Sequence, residues 1–155
     1  MQLDRFDVQI LELMQQDAGM TASDIAASVP LSASAIQRRV RRMRQKGVIE
    51  RDIAVVNPAR VGDPVTCMVS VHLTSERPEL VERYREWLRR APFIQQVYFV
   101  TGDSDYILVV SSPSMGAFDA FMSDMVAANA NVKRFTTNVV LNALKRGLAI
   151  PVSAA

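Results

Sequence analysis

Three helix-start signals follow one another closely in the first fifty residues, and this spacing constrains the fold more than any other feature of the chain. A polar residue that can cap a helix precedes each predicted helix, and a glycine or a proline follows it. The capping residues are Asp4, Thr21 and Ser32, and the stops are Gly19, Pro30 and Gly47. The second helix is short and a tight turn leads to the third, so this segment predicts a helix-turn-helix.

The third predicted helix has two chemically different sides. Ile36, Val40 and Met43 fall on one buried stripe. Seven basic residues lie between Arg38 and Arg51 against a single acid, which is typical either of a solvated helix face or of a phosphate-binding surface. A helix of this kind fits a major groove about 12 Å wide, so the preceding helix-turn-helix favours DNA. The predicted DNA-binding residues are Ser32, Ser34, Gln37, Arg38, Arg41 and Arg42.

Arg39 does not belong to the predicted DNA-contacting set, because it lies close to the apolar stripe of its helix. It would therefore point back toward the other helices. We expect a salt bridge from Arg39 to an acid of the first helix such as Asp7, with a phosphate contact as the alternative.

The remainder of the chain alternates predicted strands and helices. Ile49 to Val56 is predicted to be a strand, and the turn-rich residues after it suit a hinge, so we place a DNA-binding domain at 1–62 and a second domain at 63–155. The second domain has the order βαββαβ, and its last strand is predicted over Val132 to Leu144. Such an order makes an antiparallel sheet with both helices on one face, and a homodimer could cover the other face.

Several ordered motifs of the chain resemble those of the Lrp/AsnC regulators. They are Leu3-Asp4-x-x-Asp7-x-x-Ile10, Leu31-Ser32-x-Ser34-Ala35-Ile36-x-x-Arg39-Val40, Gly47-Val48-Ile49 and Asn57-Pro58-x-x-x-Gly62. Gly19 and Pro30 depart from the family pattern in connecting turns. The resemblance implies a winged helix-turn-helix followed by a ferredoxin-like effector domain, and thus an α+β fold. It also implies a small effector, commonly an amino acid, and a homodimer that assembles into tetramers or octamers on double-stranded DNA.

The polar turn from Gly102 to Tyr106 allows two interpretations. Glycine, aspartate and serine are what a hairpin turn requires in any protein. The segment is also similar to the family's Gly-Asp-x-Asp-Tyr signature, near which effectors bind, and its carboxylates could hold an ammonium group. The resemblance therefore assigns effector binding to Gly102, Asp103, Ser104, Asp105 and Tyr106, with Thr136 and Thr137 as weaker candidates for the same pocket.

Composition excludes several classes of protein. The 155 residues contain one cysteine, Cys67, and one histidine, His72, which rules out an internal disulfide and a Cys/His metal cluster, and no cofactor is expected. No apolar run approaches the roughly 20 residues needed to span a membrane, and no signal peptide is visible, so we expect a cytoplasmic protein. The lone histidine, the basic outer face of the third helix and the lack of a cluster of acid-base groups indicate that it is not an enzyme. Two alternatives stay open: an enzyme on the same scaffold, similar to siroheme decarboxylases, and a nucleoid-organising protein with weak sequence preference.

Overall fold

The chain divides into two compact units in the computed structural model, which describes residues 1–154. The first unit contains Met1–Val55 and also the C-terminal tail from Lys145 onward, and the second unit is Val56–Leu144. This division differs from the predicted one, which placed the boundary after residue 62 and the tail in the second domain. Sequence reasoning had no means of seeing that the tail packs against the first helix, because that contact joins residues 135 positions apart.

Three helices form the first unit, and their starts agree with the predicted caps. They are α1 (Arg5–Gln16), α2 (Ala22–Ala26) and α3 (Ala33–Gln45). Asp4 and Thr21 each take part in a complete capping box, and the Ser32 hydroxyl accepts the N–H of Ala35. Each helix then buries one apolar stripe in a common core of Ile10, Leu11, Ile25, Val29, Ile36, Val40 and Met43.

The strand predicted over Ile49 to Val56 is wrong, because the structure assigns neither helix nor strand there. A strand is defined by hydrogen bonds to a neighbouring strand, and no described residue pairs with this segment. Its apolar side chains Ile53, Val55 and Val56 are at least half exposed. The residue types of this segment could not show whether a pairing partner, which a strand needs, lies beside it.

The second unit has the predicted order of two helices and four strands. After a short 3₁₀ turn at Pro58–Arg60 come β1 (Val65–Leu73), α4 (Pro78–Arg90), β2 (Ile94–Phe99), β3 (Tyr106–Ser112), α5 (Met115–Ala128) and β4 (Val132–Val139). The strands form one antiparallel sheet in the order β2-β3-β1-β4. This is the predicted α+β arrangement.

The two faces of this sheet differ in burial. Cys67, Val69 and Val71 of β1 are completely buried together with side chains of α4 and α5. Residues that lie directly opposite one another in paired strands share a face, so Met68, Tyr98, Ile107 and Val109 lie together on the other face. Met68 and Tyr98 are 38% and 49% exposed there. The prediction that both helices cover one face is confirmed.

The last strand is shorter than predicted. It ends at Val139, and the five residues that follow, which the sequence assigned to the strand, are neither helix nor strand. The reason lies in β1, since Val139 is paired with Cys67 and β1 begins only two residues earlier at Val65. Beyond that point no partner strand is present, and Leu141 and Leu144 are almost fully exposed.

Candidate DNA interface and ligand turn

The outward side of α3 presents a cationic surface. Gln37, Arg38 and Arg41 are exposed, while Ile36, Val40 and Met43 on the opposite side belong to the core. Within residues 1–154, no carboxylate forms an ion pair with Arg38 or Arg41. Their guanidinium groups therefore keep all their donors for an external acceptor such as a base edge or a phosphate.

Arg39 has the structural role that the sequence predicted. Its Nη1 lies 2.8 Å from Asp7 Oδ1 and 2.7 Å from Asp4 Oδ2. The bonds to Asp7 and Asp4 raise the pKa of Arg39. The pKa of Asp4 is lowered, first by the N–H of Asp7 that its carboxylate accepts at the helix cap and then by Arg39. One arginine thus ties α3 to the start of α1.

Arg42, predicted to contact DNA, also pairs with Asp7. Its Nη2 lies 2.9 Å from Asp7 Oδ2, and its side chain is about half exposed. Asp7 is only 1% exposed, and a buried carboxylate is costly unless charged donors surround it. The two guanidinium groups supply those donors, so Arg42 has an internal task that the helical wheel did not reveal. The signal was present in the sequence, because Asp7 is the only acid on the buried side of α1.

Two further polar pairs complete this surface. Ser32 caps α3, and its hydroxyl oxygen lies 3.1 Å from that of Ser34, so both predicted serines sit at the helix N-terminus. Arg44, which the sequence left unassigned, is held at 2.7 Å by Asp52 from the segment that follows the helix. The predicted DNA-binding residues therefore lie together on α3 and at its N-cap. The three arginines among them differ, because Arg42 forms an internal ion pair whereas Arg38 and Arg41 form none within the described residues.

The turn between β2 and β3 places its polar residues in different environments. Gly102 has φ +114°, which residues with a side chain rarely adopt, and Asp103 is exposed. Asp105 is partly buried, and its Oδ2 accepts the N–H of Leu73 at 2.7 Å while its own N–H donates to the carbonyl of Val71. The carboxylate of Asp105 thereby provides a hydrogen-bond acceptor for the N–H of Leu73, at the point where the register between β1 and β4 shifts.

Tyr106 is a core residue, and its hydroxyl accepts a hydrogen bond from Arg85. Tyr106 is 2% exposed and packs edge-to-face against Tyr84 at 5.4 Å between ring centroids. Arg85 Nε donates to the Tyr106 hydroxyl at 3.1 Å, and its guanidinium lies 5.6 Å from the Phe99 ring centroid. Burial raises the pKa of Tyr84. Sequence reasoning missed Arg85, which lies on a helix with several other arginines.

Thr136 and Thr137, the two weaker effector candidates, both lie on β4 and not beside the turn. Thr137 is on β4 and pairs with Val69 of β1, whereas the turn leads into β3, and β1 lies between β4 and β3. Its Oγ1 is buried and has no hydrogen-bond partner among the described residues. The structure therefore brings Asp105 and Tyr106 together at one end of the sheet and leaves Thr137 apart from them within this chain.

Residues 1–154 contain no group of three or more His, Cys, Asp or Glu side chains that could hold a metal ion. No helix in this part of the chain is long and apolar enough to cross a membrane.

A helix-turn-helix with an exposed cationic helix, followed by a separate α+β unit with a polar turn, defines a DNA-binding transcriptional regulator with a ligand-binding domain. Comparison with known proteins agrees. Residues 3–50 match the family model for a winged helix-turn-helix DNA-binding domain, and residues 66–150 match that of the Lrp/AsnC ligand binding domain. The chain belongs to the Lrp/AsnC family of transcriptional regulators.

Individual relatives give the same picture. An HTH-type transcriptional regulator of Sinorhizobium fredii is 39% identical over 98% of this chain and 90% of its own length. The crystal structure of an AsnC family transcriptional regulator from Agrobacterium tumefaciens has a TM-score of 0.86 at 32% identity and covers 96% of this chain and 97% of that one. A transcriptional regulator of Neisseria meningitidis, solved in complex with L-Met, has a TM-score of 0.85 at 24% identity, with 96% of both chains covered. At that identity the likeness shows the fold.

Proposed function

We propose that this protein is a sequence-specific transcriptional regulator whose affinity for double-stranded DNA responds to an amino acid. The observation that carries the DNA part is the pair Arg38 and Arg41, which are exposed on α3 and have no internal ion pair in the described chain. Arginine can hydrogen-bond two atoms of a guanine edge at once, which gives both affinity and sequence preference. The regulator acts where the DNA is, in the cytoplasm, and needs no catalytic step.

The proposed effector site is the turn from Gly102 to Tyr106. Asp103 is exposed and Asp105 keeps one carboxylate oxygen beyond the one that Leu73 uses, so an ammonium group can be held by charge-assisted hydrogen bonds. Backbone N–H groups of the turn, Ser104 included, can meet a carboxylate. The L-Met bound to the Neisseria protein is compatible with this class of ligand. Thr137 would contribute only if assembly brings a second copy beside the turn.

The proposed assembly is a homodimer through the open face of the sheet, with further association into tetramers or octamers. That face carries the apolar Met68, Tyr98, Ile107 and Val109 beside the polar Ser70 and Gln96, and its apolar part is stabilised when a second layer covers it. A charge at its centre should separate the subunits. We expect Met68→Asp to lower the mass measured by light scattering, whereas Val126→Asp, at an exposed position on α5, leaves it unchanged. An unchanged mass for Met68→Asp would refute this interface.

The effector proposal is tested by melting the full-length protein with each proteinogenic amino acid. A ligand that binds only the native state at a thousandfold excess over its dissociation constant stabilises it by about 4 kcal/mol. We expect at least one amino acid to raise the melting temperature and to change the dissociation constant for a DNA duplex selected by the protein from a random library. If no amino acid shifts the melting temperature, the effector is of another class.

A further inference from the structure

The C-terminal tail from Lys145 onward is part of the unit that binds DNA, although it follows the last strand of the other unit. The side chain of Gln15, in the last turn of α1, makes two hydrogen bonds to one residue of the tail. Gln15 Nε2 donates to the carbonyl of Ile150 at 3.0 Å, and Ile150 N–H donates to Gln15 Oε1 at 2.8 Å. Val152 packs against the core of the three helices.

These contacts make the docking of the tail specific. A carboxamide presents one donor and one acceptor side by side, so it fixes the tail in a single register, as a neighbouring strand would. Val152 then adds an apolar contact two residues further on, and it is more buried than the residues on either side of it. The paired hydrogen bonds of Gln15 and the burial of Val152 together indicate that the tail is bound at a defined site on the three helices.

The docked tail changes how the two units are connected along the chain. One connection is at Val55 and Val56, where the chain first leaves the DNA-binding unit, and the other is at Leu144 and Lys145, where it returns. The returning connection is a stretch without helix or strand after β4, and its Leu141 and Leu144 side chains are almost fully exposed. With the tail docked, the DNA-binding unit is held at two points; with the tail released, it is held at one.

We propose that the C-terminal tail is a second tether that restricts the DNA-binding unit and thereby raises its affinity for DNA. This inference rests on the homodimer proposed above, in which a DNA-binding unit joined by one flexible segment loses freedom relative to its partner unit when both bind one duplex, and that loss opposes binding. A second attachment removes part of this freedom before DNA arrives. Because the tail and its docking site belong to the same chain, the effective concentration of the tail at that site is high and a few contacts suffice to hold it.

The chain provides a matched pair of variants for the test. Gln15 and Gln16 are adjacent, exposed glutamines of α1, but only Gln15 bonds the tail. Alanine favours the helix at both positions, so Gln15→Ala and Gln16→Ala should fold alike, which the helical circular dichroism signal verifies. Hydrogen exchange of the full-length protein then reports docking through the amide of Ile150. We expect faster exchange at Ile150 in Gln15→Ala and wild-type exchange in Gln16→Ala.

The tether itself is tested by DNA titration with the same proteins and with a chain that ends at Gly147, which keeps the basic Lys145 and Arg146 but lacks Ile150 and Val152. On a duplex selected from a random library by the wild-type protein, Gln15→Ala and the shortened chain should raise the dissociation constant about 3- to 10-fold, in keeping with the loss of a restricted orientation. Gln16→Ala should bind like wild type. Unchanged exchange at Ile150 in Gln15→Ala would show that the tail does not dock there. Faster exchange with an unchanged dissociation constant would show that it docks without acting as a tether.

Discussion

The polar residues of the DNA-binding unit and those of the ligand turn are used differently, and the difference shows what a sequence pattern can assign. On α3, the helical period separates Arg38 and Arg41, which face outward, from Arg39, which binds Asp4 and Asp7. In the turn, no period distinguishes exposed Asp103 from Asp105, which accepts the N–H of Leu73. A helix orders its side chains by geometry, whereas a turn assigns each one by contacts with distant strands.

The largest effect expected from this comparison is at Asp7, the buried carboxylate between Arg39 and Arg42. Asp7→Ala leaves Arg39 with Asp4 alone and Arg42 with no partner. We expect the free energy of unfolding of the DNA-binding unit to fall by about 3 kcal/mol, the lower end for a broken buried pair, because both arginines keep access to water. Urea unfolding measures this. Glu12→Ala, an exposed acid on the same helix, is the control, and an equal loss in both variants would show that Asp7 has no special role.

Asp105 should have the next largest effect. Asp105→Ala leaves the N–H of Leu73 without its acceptor, and we expect a loss of about 1–3 kcal/mol in the stability of the ligand-binding unit. Asp105→Asn keeps an acceptor and should restore most of that stability while lowering amino-acid affinity about tenfold, since a charge-assisted bond is lost. Thermal unfolding and ligand titration separate the two effects. Normal ligand affinity in Asp105→Asn would make the residue purely structural.

Most of the fold could be predicted from the sequence, and the failures have a common cause. The capped helices and the βαββαβ order follow from local periodicity, which each segment carries in itself. The strand predicted at Ile49 to Val56 and the end of the strand predicted at Leu144 both failed because a strand also needs a partner at the right place. The docking of the tail on Gln15 was equally invisible, since it depends on contacts between residues far apart in the chain.

The candidate site was also predictable only in part, namely where a residue's position depends on a single helix. Outward and inward positions of α3 followed from the helical wheel, including the Arg39 to Asp7 pair. The second pairing of Asp7 with Arg42, the support of Tyr106 by Arg85 and the isolation of Thr137 did not follow, because they require the relative placement of whole elements.

The smallest expected effect is at Thr137, whose hydroxyl is buried without a partner among the described residues. Thr137→Val removes the unpaired hydroxyl and keeps the shape, so we expect an unchanged or slightly raised stability, by up to about 1 kcal/mol. Thr74→Val, at an exposed position just after β1, should gain nothing. A clear destabilisation by Thr137→Val, measured in the same urea experiment, would show that the hydroxyl makes a bond in the assembled protein.

The central claim, that α3 reads DNA through Arg38 and Arg41, is tested most directly by fluorescence anisotropy on a selected duplex and a scrambled one over a range of salt. If the arginine contacts a base, Arg38→Ala and Arg41→Ala should each weaken binding to the selected duplex by about 1–3 kcal/mol. If it contacts a phosphate, each variant should weaken binding to both duplexes alike and lower the slope of the salt dependence by about one. Arg83→Ala removes the same charge from an exposed position on α4 and should bind like wild type. Wild-type affinity in both α3 variants, or an equal loss in Arg83→Ala, would contradict the account.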